Sequence, residues 1–195
     1  MCKRFVAIWF RHLKTDWMIH HQAELKDTPF VLALPDHHGR LRITEVSAVA
    51  KSYGIETGMV VADAKVILPS LQVSDDTPGL SEKLLQKIAL WCIRYTPVAS
   101  IDSPDGLILD VSGCTHLWGS EEDYLKDITN KLKSFGYHIR AAMADTIGTA
   151  WAVSRCGRIK AIIKSNEQLE ALMPLPPAAL RLEIDILERL QKLGL

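Results

Sequence analysis

The sequence predicts an α+β fold: a mixed sheet backed by helices, with an insertion after its first strand and helix. Three observations carry this reading. The apolar segments of the body run strand, helix, strand, strand, helix, strand rather than in strict βαβ alternation. Two stripes of helical period, at 80–95 and 121–135, flank short continuous apolar runs of strand length. The chain has 195 residues, 48% hydrophobic and 24% charged, enough to bury a core and too apolar for intrinsic disorder.

The elements follow in order. Phe5–Phe10 is an unbroken apolar run, as for a strand covered on both faces. Thr15 or Asp16 is placed to cap a helix carrying Trp17, Met18 and Leu25. Pro29–Leu34 reads as a second strand, and 35–40 (Pro-Asp-His-His-Gly-Arg) as a turn returning into Leu41–Val46. Short helices are expected at Ala48–Tyr53, closed by Gly54, and at Ala62–Leu68, stopped by Pro69; Leu71–Val73 is a short strand. The helix at 80–95 shows Leu84, Leu85, Ile88, Ala89, Cys92 and Ile93 on one face. Val98–Asp102 and Leu107–Val111 flank a turn (103–106) with an Asp-Gly pair, a hairpin signal. Tyr124, Leu125, Ile128 and Leu132 mark the helix at 121–135; His138–Ala144 is a strand, Gly148–Cys156 a helix, and Ile159–Ile163 the last strand. Beyond Asn166 only short helical pieces and a Pro-rich turn follow. The order suggests a sheet with its helices on one face.

Composition excludes several functions. Lys plus Arg and Asp plus Glu both number 23, so this is no polybasic nucleic-acid binder, although a local basic surface is allowed. The apolar runs are far too short to span a bilayer, and no membrane association is expected. Four scattered cysteines without a Cys-x-x-Cys pattern read as free thiols of a cytoplasmic protein. Walker, Gly-x-Ser-x-Gly and His-Glu-x-x-His motifs are absent. The neighbours His20-His21 and His37-His38 do not face one another on a helix or strand, and Cys114 with His116 makes two ligands without a partner motif.

Three stretches in order carry a resemblance. Val46–Met59, continuing through 62–64 (Ala-Asp-Ala) and Leu68-Pro69, resembles the fingers segment of Y-family (DinB/UmuC-type) translesion DNA polymerases. Tyr95–Gly113 aligns without a gap on that family's palm motif, whose core is Ser-Ile-Asp-Glu-Ala-Phe-Leu-Asp. Ala142–Ala152 is similar to the segment that holds Asn-Lys in active members, and Leu175–Leu195 resembles the opening of the helix-hairpin-helix thumb. The runs Trp91–Pro97, Asp105–Gly119 and Ala144–Trp151 are more similar to the ImuB branch, polymerase-like proteins of bacterial mutagenesis cassettes. The resemblance implies a palm over 1–25 and 74–165, fingers over 26–73 and the start of a thumb over 166–195.

Nucleotidyl transfer by two metals needs cations about 3.5–4 Å apart, held by oxygen ligands. The resemblance implies an Asp from the first strand and an Asp-Glu pair from the hairpin. Here Trp9 stands at the first position, and no acid occurs between Met1 and Thr15. In the hairpin Asp105 keeps one carboxylate while Gly106 replaces the Glu; if the register is set on Ser100-Ile-Asp102 instead, Ser103 replaces it. Asp105 also reads simply as a turn residue, and Asp110 as structural. The triphosphate grip is eroded as well: Ala48 and Lys51 stand for the family's Tyr and Arg, and Ile147 for its palm Lys. Lys51 is the nucleotide-binding remnant, a point charge without the arginine fork. No cofactor is expected, and Mg²⁺ binding should be weak or absent, with Asp105 at most one ligand.

From Lys131 to Lys164 seven basic residues face a single acid, Asp145. Among them Arg155, Arg158, Lys160 and Lys164 are expected to contact a DNA backbone weakly and without sequence preference. The expected function is a non-catalytic scaffold in error-prone DNA repair. By resemblance its partners are a RecA-like accessory protein, an error-prone replicative-type polymerase and the sliding clamp. The alternatives are an active translesion polymerase with relocated metal ligands and a ligand- or nucleotide-binding regulatory module.

Overall fold

A computed structural model describes residues 3–157 and 161–194. In chain order the elements are β1 (Phe5–Phe10), α1 (Leu13–His21), β2 (Phe30–Pro35), β3 (Leu41–Val46), α2 (Ala48–Ser52), α3 (Val61–Ile67), β4 (Gln72–Asp75), α4 (Leu80–Cys92), β5 (Val98–Asp102), β6 (Gly106–Asp110), α5 (Glu121–Ser134), β7 (Ile139–Ala144), α6 (Ile147–Cys156), α7 (Gln168–Leu172) and α8 (Ile184–Lys192). Single 3₁₀ turns lie at Ala23–Leu25, Thr115–Trp118 and Pro177–Leu180. The chain forms two compact units, one of the chain through Phe10, Leu85–Leu132 and the chain from Ile139, the other of Arg11–Leu84 with Lys133–His138.

The first unit is built on a four-stranded sheet in the order β5-β6-β1-β7, each neighbouring pair antiparallel. A parallel bridge from Met143 to Ile162 makes it mixed. The expected strand at 159–163 is thereby reduced, among the described residues, to this bridge; Ile159 and Lys160 lie outside them. Alternation along β1 sends Val6, Ile8 and Phe10 to one face and Ala7 and Trp9 to the other. Ala7, Ala142 and Ala144 form a low surface against which α6 seats Ala150 and Val153, closed by Ile163. Small side chains permit that close approach of helix to sheet. Val6, Ile8 and Phe10, pointing the opposite way, are fully buried too, so the sheet is covered on both sides rather than the one that the sequence suggested.

Helix α5 buries the expected stripe Tyr124, Leu125, Ile128 and Leu132. Glu121, Glu122 and Asp123 fill its first turn, where the helix dipole favours anions, and Ser120 Oγ accepts from Asp123 N at 3.0 Å. Helix α4 stops at Cys92, short of the expected Tyr95, because the chain turns toward Pro97 with Tyr95 N and Thr96 N both bonded to Cys92 O. The hairpin also differs. Asp102 pairs with Gly106, so a three-residue loop replaces the expected two-residue Asp-Gly turn and Gly106 opens β6.

The second unit holds a three-stranded sheet, β3-β2-β4, with β2 antiparallel to β3 and parallel to β4. Val31, Ala33, Ile43, Val46, Ala50, Ile55, Val61, Ala64 and Leu71 form its core. Helix α1 begins at Leu13, not after Thr15 or Asp16, and Leu25 lies in a 3₁₀ turn beyond it. Asp16 does not cap α1; its buried carboxylate accepts the backbone N–H of His138 at 2.7 Å and bonds His138 Nδ1 at 2.8 Å.

Candidate functional site

The hairpin β5-β6 and the centre of β1 bring Trp9, Asp102, Asp105 and Gly106 together. Trp9 lies directly across from Gly106 on one side and from Arg140 on the other. Its indole Nε1 donates to Asp105 Oδ2 at 2.8 Å. Both possible registers of the hairpin therefore lead to one place, since Asp102 and Asp105 share a single cation. Arg155 Nη2 donates to Asp102 Oδ2 at 3.0 Å and to Asp105 Oδ1 at 2.9 Å.

Helix α6 positions that guanidinium. Trp151 and Arg155 are one turn apart and share a helix face. Trp151 Nε1 donates to Asp102 Oδ2 at 2.7 Å, and Arg155 Cζ lies 4.7 Å from the Trp151 ring centroid and 5.5 Å from that of Trp9. A second guanidinium arrives from beyond the 3₁₀ turn at 177–180: Arg181 Nη2 donates to Asp102 Oδ1 at 2.7 Å, its Cζ 4.9 Å from the Trp151 ring. Side-chain exposure is 9% for Asp102, 13% for Arg155, 33% for Asp105 and 48% for Arg181. Two carboxylates thus balance two guanidiniums, with indole N–H groups completing the acceptors. A guanidinium suits this setting because it is planar, weakly hydrated and able to stack on aromatic faces.

Gly106 fits this arrangement closely. A Cβ there would stand 3.0 Å from Arg155 Nη2, 3.0 Å from Asp102 Oδ2 and 3.1 Å from Asp102 O. A side chain there, a glutamate included, enters only if these neighbours give by a few tenths of an ångström. The site therefore does not fit the two-metal centre that the resemblance implied. Trp9 and Gly106 supply no ligand, and the two acids already enclose a cation. Among the described residues no three His, Cys, Asp or Glu side chains are grouped as a metal ion would need.

Arg155, expected to face a DNA backbone, is instead turned inward and engaged as described. Arg140, another of the seven cations, donates to Arg155 O at 3.2 Å, to Val153 O at 3.4 Å and to Gly157 O, satisfying carbonyls at the end of α6. Lys164 is exposed, and Arg158 and Lys160 lie outside the described residues. In the second unit Lys51 is exposed on α2, whose N-cap Ser47 accepts from Ala50 N at 3.2 Å. That unit also contains a buried ionic group that the sequence did not announce. Lys14 Nζ meets Asp76 Oδ2 at 2.7 Å and Glu45 at 3.7 Å, and Thr44 Oγ1 donates to Asp76 Oδ2 at 2.7 Å.

Sequence reasoning missed Trp151 and Arg181 and misassigned Arg155. The four-residue spacing of Trp151 and Arg155 was available, but their acidic partners lie about 50 residues away. Two runs singled out in the sequence do meet in space. Tyr95 stacks on Trp118, with centroids 5.3 Å apart, and lies 5.4 Å from Trp91. Tyr124 Oη donates to Tyr95 O at 3.2 Å. Among the described residues no helix is long and apolar enough to cross a membrane.

Comparison with known proteins bears on the family and the fold. A family model described as impB/mucB/samB matches residues 8–155. Over 142 residues the chain is 42% identical to Protein ImuB of Caulobacter vibrioides, an alignment covering 73% of this chain and only 31% of that protein. Among solved structures, DinB from Sulfolobus solfataricus superposes with a TM-score of 0.78, and Dbh DNA polymerase in an insertion ternary complex with 0.82. Each is 16% identical and covers 98% of this chain, against 57% and 58% of those chains; at that identity the likeness establishes the fold. A chain matched by that family model over most of its length, folded as these polymerases are, belongs to the impB/mucB/samB family and is a Y-family polymerase-like protein related to ImuB.

Proposed function

We propose that this protein is a non-catalytic Y-family scaffold acting in error-prone DNA repair and damage-induced (SOS) mutagenesis in the cytoplasm. The observation that carries the reading is the occupant of the hairpin acids: Arg155 lies between Asp102 and Asp105, and Trp9 and Gly106, paired beside it, are the residues for which the resemblance implies carboxylates. Phosphoryl transfer depends almost wholly on positioning and electrostatic stabilisation, so a site that cannot gather two metals lacks the catalyst itself. The kinship with ImuB supports the pathway. In this reading 1–25 with 74–165 act as palm, 26–73 as fingers and 166–195 as the opening of the thumb. Its partners are a RecA-like accessory protein, an error-prone replicative-type polymerase and the sliding clamp. DNA contact is weak and made through backbone phosphates, with Lys164, Arg158 and Lys160 as the contact residues.

Primer extension with Mg²⁺ and with Mn²⁺, on the full-length protein, tests the reading. The expected result is no templated incorporation. Incorporation that disappears in Asp105→Ala would restore an active polymerase.

A further inference from the structure

We propose that Asp102 and Asp105 form an internal guanidinium site, filled by Arg155 and Arg181, which has replaced the metal centre and fastens the segment 177–194 to the sheet. The proposal rests on the non-catalytic reading and deepens it: the acids that remain hold protein cations rather than divalent ions.

Four observations converge. Asp102, nine-tenths buried, accepts from three donors on two elements, Trp151 Nε1, Arg155 Nη2 and Arg181 Nη2. Asp105 accepts from Arg155 and from Trp9, the residue that stands in place of a metal ligand. Gly106 leaves the room that Arg155 Nη2 occupies. Arg181 holds its position in a left-handed backbone, φ 57°, which non-glycine residues seldom adopt unless their surroundings impose it. The segment before it is seated by apolar contact, Ala171 and Leu175 packing on the core of Ala150, Val153 and Ile163, with Ala179 buried. At Arg181, just past the 3₁₀ turn, an ionic contact is added, and α8 follows directly. A lone carboxylate this deeply buried would be strongly unfavourable, and two guanidiniums with two indoles supply what a hydrated Mg²⁺ otherwise would.

Two measurements without DNA test the site. In the first, Mn²⁺ alone is titrated into the full chain and free Mn²⁺ is followed by electron paramagnetic resonance. Wild type is expected to take up none at the hairpin. Arg155→Ala, which removes the one cation that the two carboxylates share while leaving Arg181 and the indoles in place, should gain a site that disappears when Asp105→Asn is added. Wild-type uptake abolished by Asp105→Asn overturns the proposal, as does a folded Arg155→Ala variant that gains nothing. In the second, amide exchange is compared in Arg181→Gln, a substitution at a half-exposed side chain that leaves the core untouched. Exchange in α8 should quicken about tenfold, from loss of a charge-assisted hydrogen bond, with β1 and β6 unchanged. Asp102→Asn should quicken the same amides, and the double variant no further. Unchanged exchange in Arg181→Gln overturns the fastening. Polymerisation by wild type would refute the non-catalytic reading, whereas these DNA-free readouts judge the guanidinium site separately.

Discussion

Gly106→Ala probes the cluster with a single methyl group. The new Cβ would lie 3.0 Å from Arg155 Nη2 and Asp102 Oδ2 and 3.1 Å from Asp102 O. The two side-chain atoms are held by each other and by Trp151 and Arg181, and the third is backbone of the facing strand, so none yields freely. Overpacking of this kind costs about 1–3 kcal/mol, while replacing a strand glycine by alanine returns roughly 0.5–1 kcal/mol of chain entropy. The net expectation is a destabilisation of about 1 kcal/mol, which for a chain of this size lowers Tm by roughly 2–4 °C. Thermal unfolding followed by tryptophan fluorescence suits the measurement, because Trp9 and Trp151 flank the site. The origin of the loss is separated by a double-mutant cycle: in an Arg155→Ala background the same Gly106→Ala change should cost less, since one of its two nearest obstructions has gone and Asp102, freed of Arg155, can give way. A Gly106→Ala protein as stable as wild type, or strict additivity with Arg155→Ala, would refute the steric account of why glycine stands here.

Three further outcomes follow from the geometry. The Asp145 carboxyl is held below the usual aspartate range by the Ser165 hydroxyl and, against the opposing effect of desolvation, by Arg4, whose Nη1 donates at 2.7 Å. The stability it contributes is therefore present above about pH 4 and lost as pH falls through its lowered value; Asp145→Asn should lower stability at pH 7 and flatten the acid limb of the unfolding curve, and an unchanged limb would count against the pair. Desolvation pushes the Cys92 thiol up to about 12, against the pull of Arg94, so thiol reagent at pH 8 should label folded Cys92→Ser and folded wild type to the same extent, the difference emerging only in denaturant. Charge reversal at Arg158 and Lys164 should weaken binding to primer-template DNA, each lost phosphate contact reducing the slope of log K against log salt by roughly 0.9; reversal that leaves affinity intact would dismiss this surface.

Local periodicity was enough to locate most elements, because strands and helices bury one face at fixed spacing. Phe5–Phe10, the 121–135 helix and the fold around Ala48–Ser52 could be read that way. Ends were less readable where a distant partner decides them: Asp16 looked like a cap, yet His138 claims its carboxylate from 122 residues away. The candidate site divides along the same line. That Trp9 and Gly106 carry no carboxylate, where the resemblance implied ligands, was visible as plain residue types. What fills their place was not, since the pairing of Arg155 with Asp102 and Asp105 depends on α6 lying across the sheet, and sequence counted that arginine as one more surface cation. Arg140 was miscounted similarly, its charge serving the carbonyls at the end of a helix.

A cation carried on the chain obeys different mass action from one drawn from solution. A dissociable metal stabilises its site by an amount that grows with the logarithm of its free concentration, and chelation removes that contribution. The Arg155 guanidinium between Asp102 and Asp105 is present at an effective concentration set by helix α6, which neither chelator nor a falling pool of divalent ions can dilute. The occupant is also tethered in a way that a metal is not: a guanidinium that swings out stays beside its site for as long as the helix is folded, so the occupancy of this centre follows the folding of the domain more than the supply of divalent ions.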